Sequence, residues 1–459
     1  MSRAVVGVDV GGTFTDLLFL DGETGAVDVR KVPSRRGDEA AGFMAGLDGR
    51  VGDLAAVVHG TTVGTNALLE RKGARVGLIT TQGFRDVLEM RRRDRPQTWG
   101  LHGRYDPVVP RDLRMEVPER VLADGSVRTP LDIGAVRACA RRLREAGVEA
   151  VAIVFINAYA NGAHERAARE AVLAEWPGAT VTLSSEILPE IREFERTSTT
   201  VLNAALQPVV GRYLERLETA LEDGAFGGRF HIVQSNGGVM STRTARELPV
   251  RTALSGPAAG VIAAGAIAAA AGEPNVVTCD LGGTSFDVSL ISGGEAATAA
   301  ETSIDFGLTI RTPMIEIRTI GAGGGSIAHV DAGGLLAIGP ESAGSRPGPV
   351  AYGGGNDRPT LTDANIVLGR INAEAPIGGA LKSLDVAAAE AAIAKHVGQP
   401  LGLSAMDAAE AIVRVANAQM AGPSGWSPSS EGITRRTLWP CRSAGAGRSM
   451  QALLCGTWG

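Results

Sequence analysis

Two short stretches carry residue types whose spacing suits phosphate chemistry. Asp9-Val10-Gly11-Gly12-Thr13-Phe14-Thr15 stands near the start, and Asp280-Leu281-Gly282-Gly283-Thr284-Ser285 follows 271 residues later. Each sits in an eighteen-residue unit, residues 5–22 and 276–293, and eight of the eighteen aligned positions are identical. The identities are Val5/Val276, Val6/Val277, Asp9/Asp280, Gly11/Gly282, Gly12/Gly283, Thr13/Thr284, Asp16/Asp287 and Gly22/Gly293. A Gly-Gly turn lets backbone N–H groups approach phosphate oxygens with no Cβ in the way. The threonine adds a hydroxyl donor. A carboxylate at the end of the incoming strand repels phosphate, and it suits a Mg²⁺ ion held directly or through water. One copy alone reads equally well as an ordinary Gly-Gly hairpin. Two matched copies point to phosphate loops, with Asp9 and Asp280 as metal-holding acids.

Other polar clusters stand at places where α/β proteins bind ligands. His59-Gly60-Thr61-Thr62 ends an apolar strand just before a helix, where an imidazole, two hydroxyls and Asn66 suit a polar amide. A threonine helix cap beside a packed histidine explains the same residues. Residues 255–260, SGPAAG, open a helix of small residues, with exposed N–H groups for an anion or bare backbone for close packing. Residues 321–326, GAGGGS, lack the Lys-Ser/Thr ending of a P-loop. Beside Glu316, Arg318 and Thr360-Leu361-Thr362-Asp363, Gly323 and Gly324 become candidate ligand contacts. Asp363 and Asn365 serve equally well as caps of the next helix. Residues 234–238, QSNGG, read as an amide-bearing substrate edge or as a bare turn. Ser-His-Asp, HExxH and CxxC patterns are missing, so direct nucleophilic or zinc hydrolysis finds no support.

The elements that must position these residues alternate strand and helix. Residues 1–60 read as strand, hairpin and strand, with a helix over residues 39–47 and a further strand ending at His59. Apolar runs near residues 76–81 and 148–156 read as buried parallel strands. Residues 96–130 are rich in Pro and Arg and read as a surface excursion. Amphipathic helices are expected over 137–146 and 164–175, a polar helix over 189–206, and a longer one over 209–221 leading to the second half. Residues 321–355 favour tight turns. The net charge of −5 and the lack of a basic stripe argue against nucleic acid. The run RRRDR at 91–95 reads as a solvated loop. Cys139, Cys279, Cys441 and Cys455 have no metal spacing and fit a reduced compartment. No signal peptide is apparent, and the Ala/Gly run 260–272 is too short for a membrane span, so a cytoplasmic location is expected.

The chain resembles the hydantoinase A/5-oxoprolinase family of ATP-dependent ring-opening amidohydrolases, within the actin/Hsp70/sugar-kinase ATPase superfold. The resemblance rests on VDVGGTFTD (8–16), HGTTVGTNALLERKG (59–73), EFERTSTTVLNA (193–204), QSNGG, SGPAAG, CDLGGTSFDVS (279–289), IGAGGGSIA (320–328) and PTLTDANIVLGR (359–370). The resemblance runs from about residue 5 to about residue 420, and subunits of acetone and acetophenone carboxylases look similar. The resemblance implies an actin-like, ribonuclease H-like α/β fold of two lobes, each with a mixed sheet and a phosphate-binding hairpin. It divides the chain into 1–185, 186–420 and a tail, 421–459. ATP and Mg²⁺ are the implied cofactors, with room for a second divalent metal at the substrate site. Gly11, Gly12, Thr13, Thr15, Gly282, Gly283, Thr284, Ser285, Gly323 and Gly324 are the implied nucleotide contacts, met from both lobes. Asp9, Asp280, His59, Thr61, Thr62 and Asp363 are the implied catalytic set. The implied reaction is phosphorylation of the amide oxygen of hydantoin, N-methylhydantoin or 5-oxoproline, followed by ring opening by water, which depends on positioning and charge neutralisation. A hydantoinase B-type companion subunit is implied. The alternatives are a subunit of an ATP-dependent ketone carboxylase and a non-catalytic remnant.

After Met420 the character of the chain changes. Three of the five Trp (Trp426, Trp439, Trp458) and two of the four Cys fall in residues 422–459, without periodicity. Back-translated with GC-rich codons and shifted by one nucleotide, residues 445–452 can read GGPLHAG, a glycine-rich segment of the kind the family uses against adenosine. The same shift turns residues 421–427 into RAIRLV, a helix continuation. A single-nucleotide frameshift near residue 421 is therefore expected, with weak nucleotide binding, an inactive product and a disordered tail. The alternative is a native, divergent tail.

Overall fold

The structure, a computed structural model, describes residues 4–11, 14–33, 39–47, 49–94, 105–305, 307–344, 346–374, 376, 383–421 and 439–442. It separates into two compact units, Met1–Ala258 with Thr298–Met314, and Ala259–Ala297 with Ile315–Gly459. The family resemblance suggested a division near residue 185. The packing boundary falls later, because strands after residue 200 complete the first sheet.

In the first unit, β1 (Ala4–Val10), β2 (Phe14–Leu20) and β3 (Val27–Pro33) form an antiparallel ribbon. Val6, Val8 and Val10 alternate inward on β1, and Asp9 points out. Period-two alternation of this kind makes one face core and the other solvent. Helix α1 (Glu39–Leu47) covers the inner face with Phe43 and Leu47. β4 (Leu54–Thr61) runs parallel to β1, and α2 (Val63–Leu69) follows it. A second, parallel sheet contains β5 (Val76–Thr81), β6 (Arg114–Val117), β7 (Ala150–Val154) and β8 (Thr180–Leu183). Every residue of β5 and β7 is buried, as expected for strands covered on both faces.

β6 corrects the expectation of a surface excursion over residues 96–130, of which 96–104 lie outside the described residues. Met115 and Val117 enter the core. Arg114 is buried too, and its guanidinium donates to the Val109 carbonyl and to Glu89 at 2.8 and 2.9 Å. The RRRDR run also differs from a solvated loop. The Arg91 guanidinium lies 4.2 Å from the centre of the Tyr105 ring, and Arg92 bridges Glu195 and Glu301.

Helix α3 (Glu193–Asp223) is one continuous element, although two were expected on either side of Pro208. Its Leu206, Val210, Tyr213 and Leu217 join the core of the first sheet, and its Val201, Ala204 and Ala205 join the core of the second. Burial on two sides outweighs the hydrogen bond lost at the proline. β9 (Arg229–Val233) and β10 (Val239–Ser241) then complete a six-stranded sheet in the order β10-β9-β4-β1-β2-β3.

Helix α4 (Ser255–Ala270) leads into the second unit. There β11 (Val276–Leu281) and β12 (Phe286–Ser292) form the second hairpin, and β13 (Arg318–Ile320) pairs with β12. The hairpin core residues Leu281 and Phe286 pack with Ala322, Ile338, Leu361 and the apolar face of α5 (Ala405–Ala421), including Ile412 and Ala416. Trp439–Arg442 pairs in parallel with β11. The rest of the tail expected to be disordered, residues 422–438 and 443–459, lies outside the described residues. Among the described residues no helix is long and apolar enough to cross a membrane.

Candidate functional site

Both hairpins place their carboxylates in the same register. Asp9 faces Asp16 across the first, and Asp280 faces Asp287 across the second. Asp9 and Asp280 are both exposed. The third strand supplies different partners. Lys31 Nζ lies 2.8 Å from Asp16 Oδ1, and Thr319 Oγ1 donates to Asp287 Oδ1 at 2.6 Å. Burial pushes the Asp287 carboxyl above its ordinary pKa, and the nearby Asp280 charge adds to the rise.

The carboxyl edge of the first sheet gathers around Asp9. Asp9 pairs in register with Gly60 of β4. A Cβ on Gly60 would stand 3.5 Å from Asp9 Oδ1, and one on Gly256 only 3.2 Å. Thr62 donates its hydroxyl to the Val10 carbonyl at 2.8 Å, holding the end of β1 against the start of α2. Thr61 is buried, its Oγ1 accepts the Val63 N–H, and its backbone exchanges hydrogen bonds with the Ser255 hydroxyl. Thr15 is also fully buried, on the core face of β2. Gly11 is half-buried, and Gly12 and Thr13 lie outside the described residues.

His59 departs most from the expectation of a ligand-holding imidazole. The ring is fully buried, Nδ1 lies 3.2 Å from the Val8 carbonyl, and Nε2 lies 2.8 Å from the Tyr213 hydroxyl. Phe43 meets it edge-on and Phe230 stacks on it. Burial lowers its pKa to about 4, with only partial compensation from the Val8 hydrogen bond. His59 is thus a neutral core group under β1, the packed-histidine alternative. Residues 234–238 likewise form a tight turn. Gln234 N–H donates to the Gly238 carbonyl, Gly237 has φ of +81°, and the Ser235 hydroxyl serves the Arg251 carbonyl.

In the second unit Gly282, Gly283 and Thr284 are exposed, and Ser285 is half-buried with its carbonyl accepting the Gly282 N–H. A Cβ on Gly283 would meet nothing within 4 Å, so the tip is open. The glycine loop behind it is buried. Gly324 and Gly325 donate their N–H groups to the carbonyls of Gly282 and Gly283 at 2.9 and 2.6 Å, and Gly323 donates to Ser326 Oγ at 2.9 Å. A Cβ on Gly323 would come within 2.6 Å of Gly283 C and Thr284 N. Gly323 and Gly324, expected to touch nucleotide, instead brace the second hairpin from behind with amides already engaged. The signal available in sequence, a run of glycines, does not say whether the close neighbour is ligand or backbone.

Thr360-Asp363 backs the brace. Thr362 N–H donates to the Gly324 carbonyl at 2.8 Å. Asp363 is fully buried, and its carboxylate accepts from the N–H groups of Val350, Ala351 and Thr360 and from the Thr360 hydroxyl. This closes a reciprocal capping box on the helix Leu361–Val367. With both oxygens engaged and no exposure, Asp363 positions backbone, as a helix cap does. Among the described residues no group of three His, Cys, Asp or Glu side chains is placed to hold a metal, so the second divalent site has no counterpart there.

Against known proteins, the description "Hydantoinase/oxoprolinase N-terminal region" matches residues 5–176, and "Hydantoinase/oxoprolinase" matches residues 196–459. The chain belongs to the hydantoinase/oxoprolinase family. Among relatives of this hydantoinase/oxoprolinase chain is the caprolactamase subunit alpha of Pseudomonas jessenii, 41% identical over 429 residues, covering 90% of this chain and 61% of that subunit. The crystal structure of the ATP-dependent caprolactamase from the same organism matches with a TM-score of 0.84 at 38% identity, covering 99% of this chain and 67% of the other. A nucleotide-free structure of acetone carboxylase, from work on ATP-dependent acetone carboxylation, matches with a TM-score of 0.86 at 31% identity over 100% of this chain and 68% of the other. The fold is that of the actin-like ATPases. The chain spans about three fifths of the length of the first curated relatives it matches.

Proposed function

We propose that this chain is the nucleotide-binding part of an ATP- and Mg²⁺-dependent enzyme that opens a cyclic amide. The observation that carries this reading is the pair of hairpins with exposed, register-matched Asp9 and Asp280, the second ending in an open glycine tip at Gly283. The residues fit the group: a bare glycine tip at Gly283 leaves backbone N–H groups accessible to phosphate oxygens, and an exposed carboxylate on each hairpin is a hard oxygen donor of the kind a divalent cation takes. Bound ATP would supply a phosphoryl group to turn an amide oxygen into a leaving group. On the protein side, Asp9 and Asp280 each offer a carboxylate to a cation on their own hairpin, the Gly282–Thr284 turn presents donors, and Thr62 fixes the strand end that carries Asp9. His59 and Asp363 act only by holding backbone.

The named activity of the caprolactamase relative supports a lactam, hydantoin or 5-oxoproline as substrate class, and its designation as a subunit supports a companion chain. The likeness to acetone carboxylase supports a second reading, carboxylation of a ketone. ATP consumption by the frame-repaired chain with its companion subunit separates the two. Turnover with hydantoins, 5-oxoproline or larger lactams, independent of bicarbonate, is the expected result. Turnover only with a ketone and bicarbonate establishes the second reading, and none with either class overturns both.

We hold the frameshift reading of residues 421–459 as part of this proposal, although the matched family span runs to residue 459. An uninterrupted family frame downstream of a one-base change in the coding DNA supports it, and unrelated sequence there overturns it. A cytoplasmic location accords with the cysteine spacing and remains part of the proposal.

A further inference from the structure

The start of α4 is held on the first sheet at the cost of backbone strain. Leu254, the residue before the helix, has φ of +60°, a left-handed conformation that a branched side chain rarely adopts. Such a conformation carries strain and persists where its surroundings over-determine it. Two hydrogen-bonded contacts do so here. Leu254 N–H donates to Thr65 Oγ1 at 2.9 Å, and the Ser255 hydroxyl binds both backbone groups of Thr61. Together they bring Gly256 against Asp9, where an added Cβ would stand 3.2 Å from Oδ1. A Cβ on Gly60 would stand 3.8 Å from the Gly256 α-carbon and 3.5 Å from the same oxygen. The Asp9 carboxylate therefore lies between two bare α-carbons.

Close packing of a small-residue helix requires no strained leucine and no carboxylate at its first turn. We propose that Gly256 is a positioning residue for Asp9: its missing side chain sets where Oδ1 lies, and so how Asp9 meets a divalent cation. This rests on the functional reading above for the cation, and on geometry alone for the contact. Gly60 is the milder neighbour, because 3.5 Å is ordinary van der Waals contact, whereas 3.2 Å forces the carboxylate to give way.

The contact is tested first without nucleotide, by thermal unfolding of the full chain in a double-mutant cycle. Gly256→Ala should lower the midpoint, and most of that loss should disappear in an Asp9→Ala background, where Oδ1 is gone. An equal loss in both backgrounds overturns the proposal. The second measurement is binding of a non-hydrolysable ATP analogue against Mg²⁺ concentration. Gly256→Ala should raise the Mg²⁺ needed for half-saturation by about tenfold, as when an outer partner of a metal ligand is disturbed, with metal-free binding unchanged. Gly60→Ala should change it little. Equal weakening at every Mg²⁺ concentration assigns Gly256 to helix packing and overturns the proposal. If neither the chain nor its frame-repaired form binds the analogue at any Mg²⁺ concentration, the nucleotide reading fails, and the thermal cycle still decides whether Gly256 acts on Asp9.

Discussion

The two hairpins share a sequence and a register, and they are supported in different ways. Under the first, a buried imidazole touches the Val8 carbonyl, one residue before Asp9, and ties it to Tyr213 of α3. Behind the second, a glycine loop adds its N–H groups to the carbonyls of Gly282 and Gly283. The third strand differs too, with an ammonium at Lys31 against Asp16 and a hydroxyl at Thr319 against Asp287. The duplicated motif thus fixes only what lies along the strands. What holds each copy in place comes from distant chain, and each copy recruits a different solution.

The comparison breaks most sharply at the brace of the second hairpin. Gly323→Val places a branched side chain where even a Cβ lies within 2.6 Å of two backbone atoms. Backbone cannot move aside as a flexible side chain can. The expected loss is on the order of 4 kcal/mol, at the upper end for overpacking. Gly283→Ala, with nothing within 4 Å of the added carbon, should leave stability nearly unchanged. Urea unfolding of both variants reads the difference, and similar stabilities would show that the loop gives no rigid support.

The first hairpin should instead be sensitive to acid. Burial holds the His59 pKa at about 4, below its ordinary value of 6.5. Between these values the unfolded chain binds a proton that the folded chain does not, so stability is fully present above pH 6.5 and falls as pH drops towards 4. A shift of this size corresponds to about 3 kcal/mol. Unfolding midpoints measured from pH 7 to pH 4 should show that loss, and His59→Gln, which cannot take up a proton there, should remove this part of it. A variant with an unchanged pH profile would mean that His59 is not the group responsible.

How far these differences could be read in sequence follows from where the deciding partner lies. The matched hairpins, the helix over residues 39–47 and the place of Asp9 at the end of its strand were legible, because local alternation and identity determine them. The burial of His59 was not, since its Tyr213 partner lies 154 positions away. The brace role of Gly323 was hidden for a related reason: a glycine records that something approaches closely, not whether it is phosphate or the chain itself. β6 escaped notice because a four-residue strand bearing Arg114 resembles loop until Glu89 and the Val109 carbonyl are seen to satisfy the guanidinium. α3 was divided in two because Pro208 normally breaks a helix, and burial against two cores outweighs that tendency here.

The smallest effect is expected where the hairpins differ by one side chain. Thr319→Lys gives the second hairpin the partner that Lys31 gives the first, and Lys31→Thr makes the reverse exchange. Lys31 and Asp16 are both well exposed, so their pair is screened by water and is worth no more than about 1 kcal/mol. Lys31→Thr should therefore cost a few tenths of a kcal/mol in unfolding measurements. An ammonium at position 319 would neutralise part of the negative charge shared by Asp287 and Asp280, which is also the charge a cation would use. Thr319→Lys should be nearly neutral or slightly stabilising, and should weaken Mg²⁺-dependent binding of an ATP analogue. If both exchanges leave that Mg²⁺ dependence unchanged, the third-strand residue has no part in cation binding, and the hairpins differ only in how they are braced.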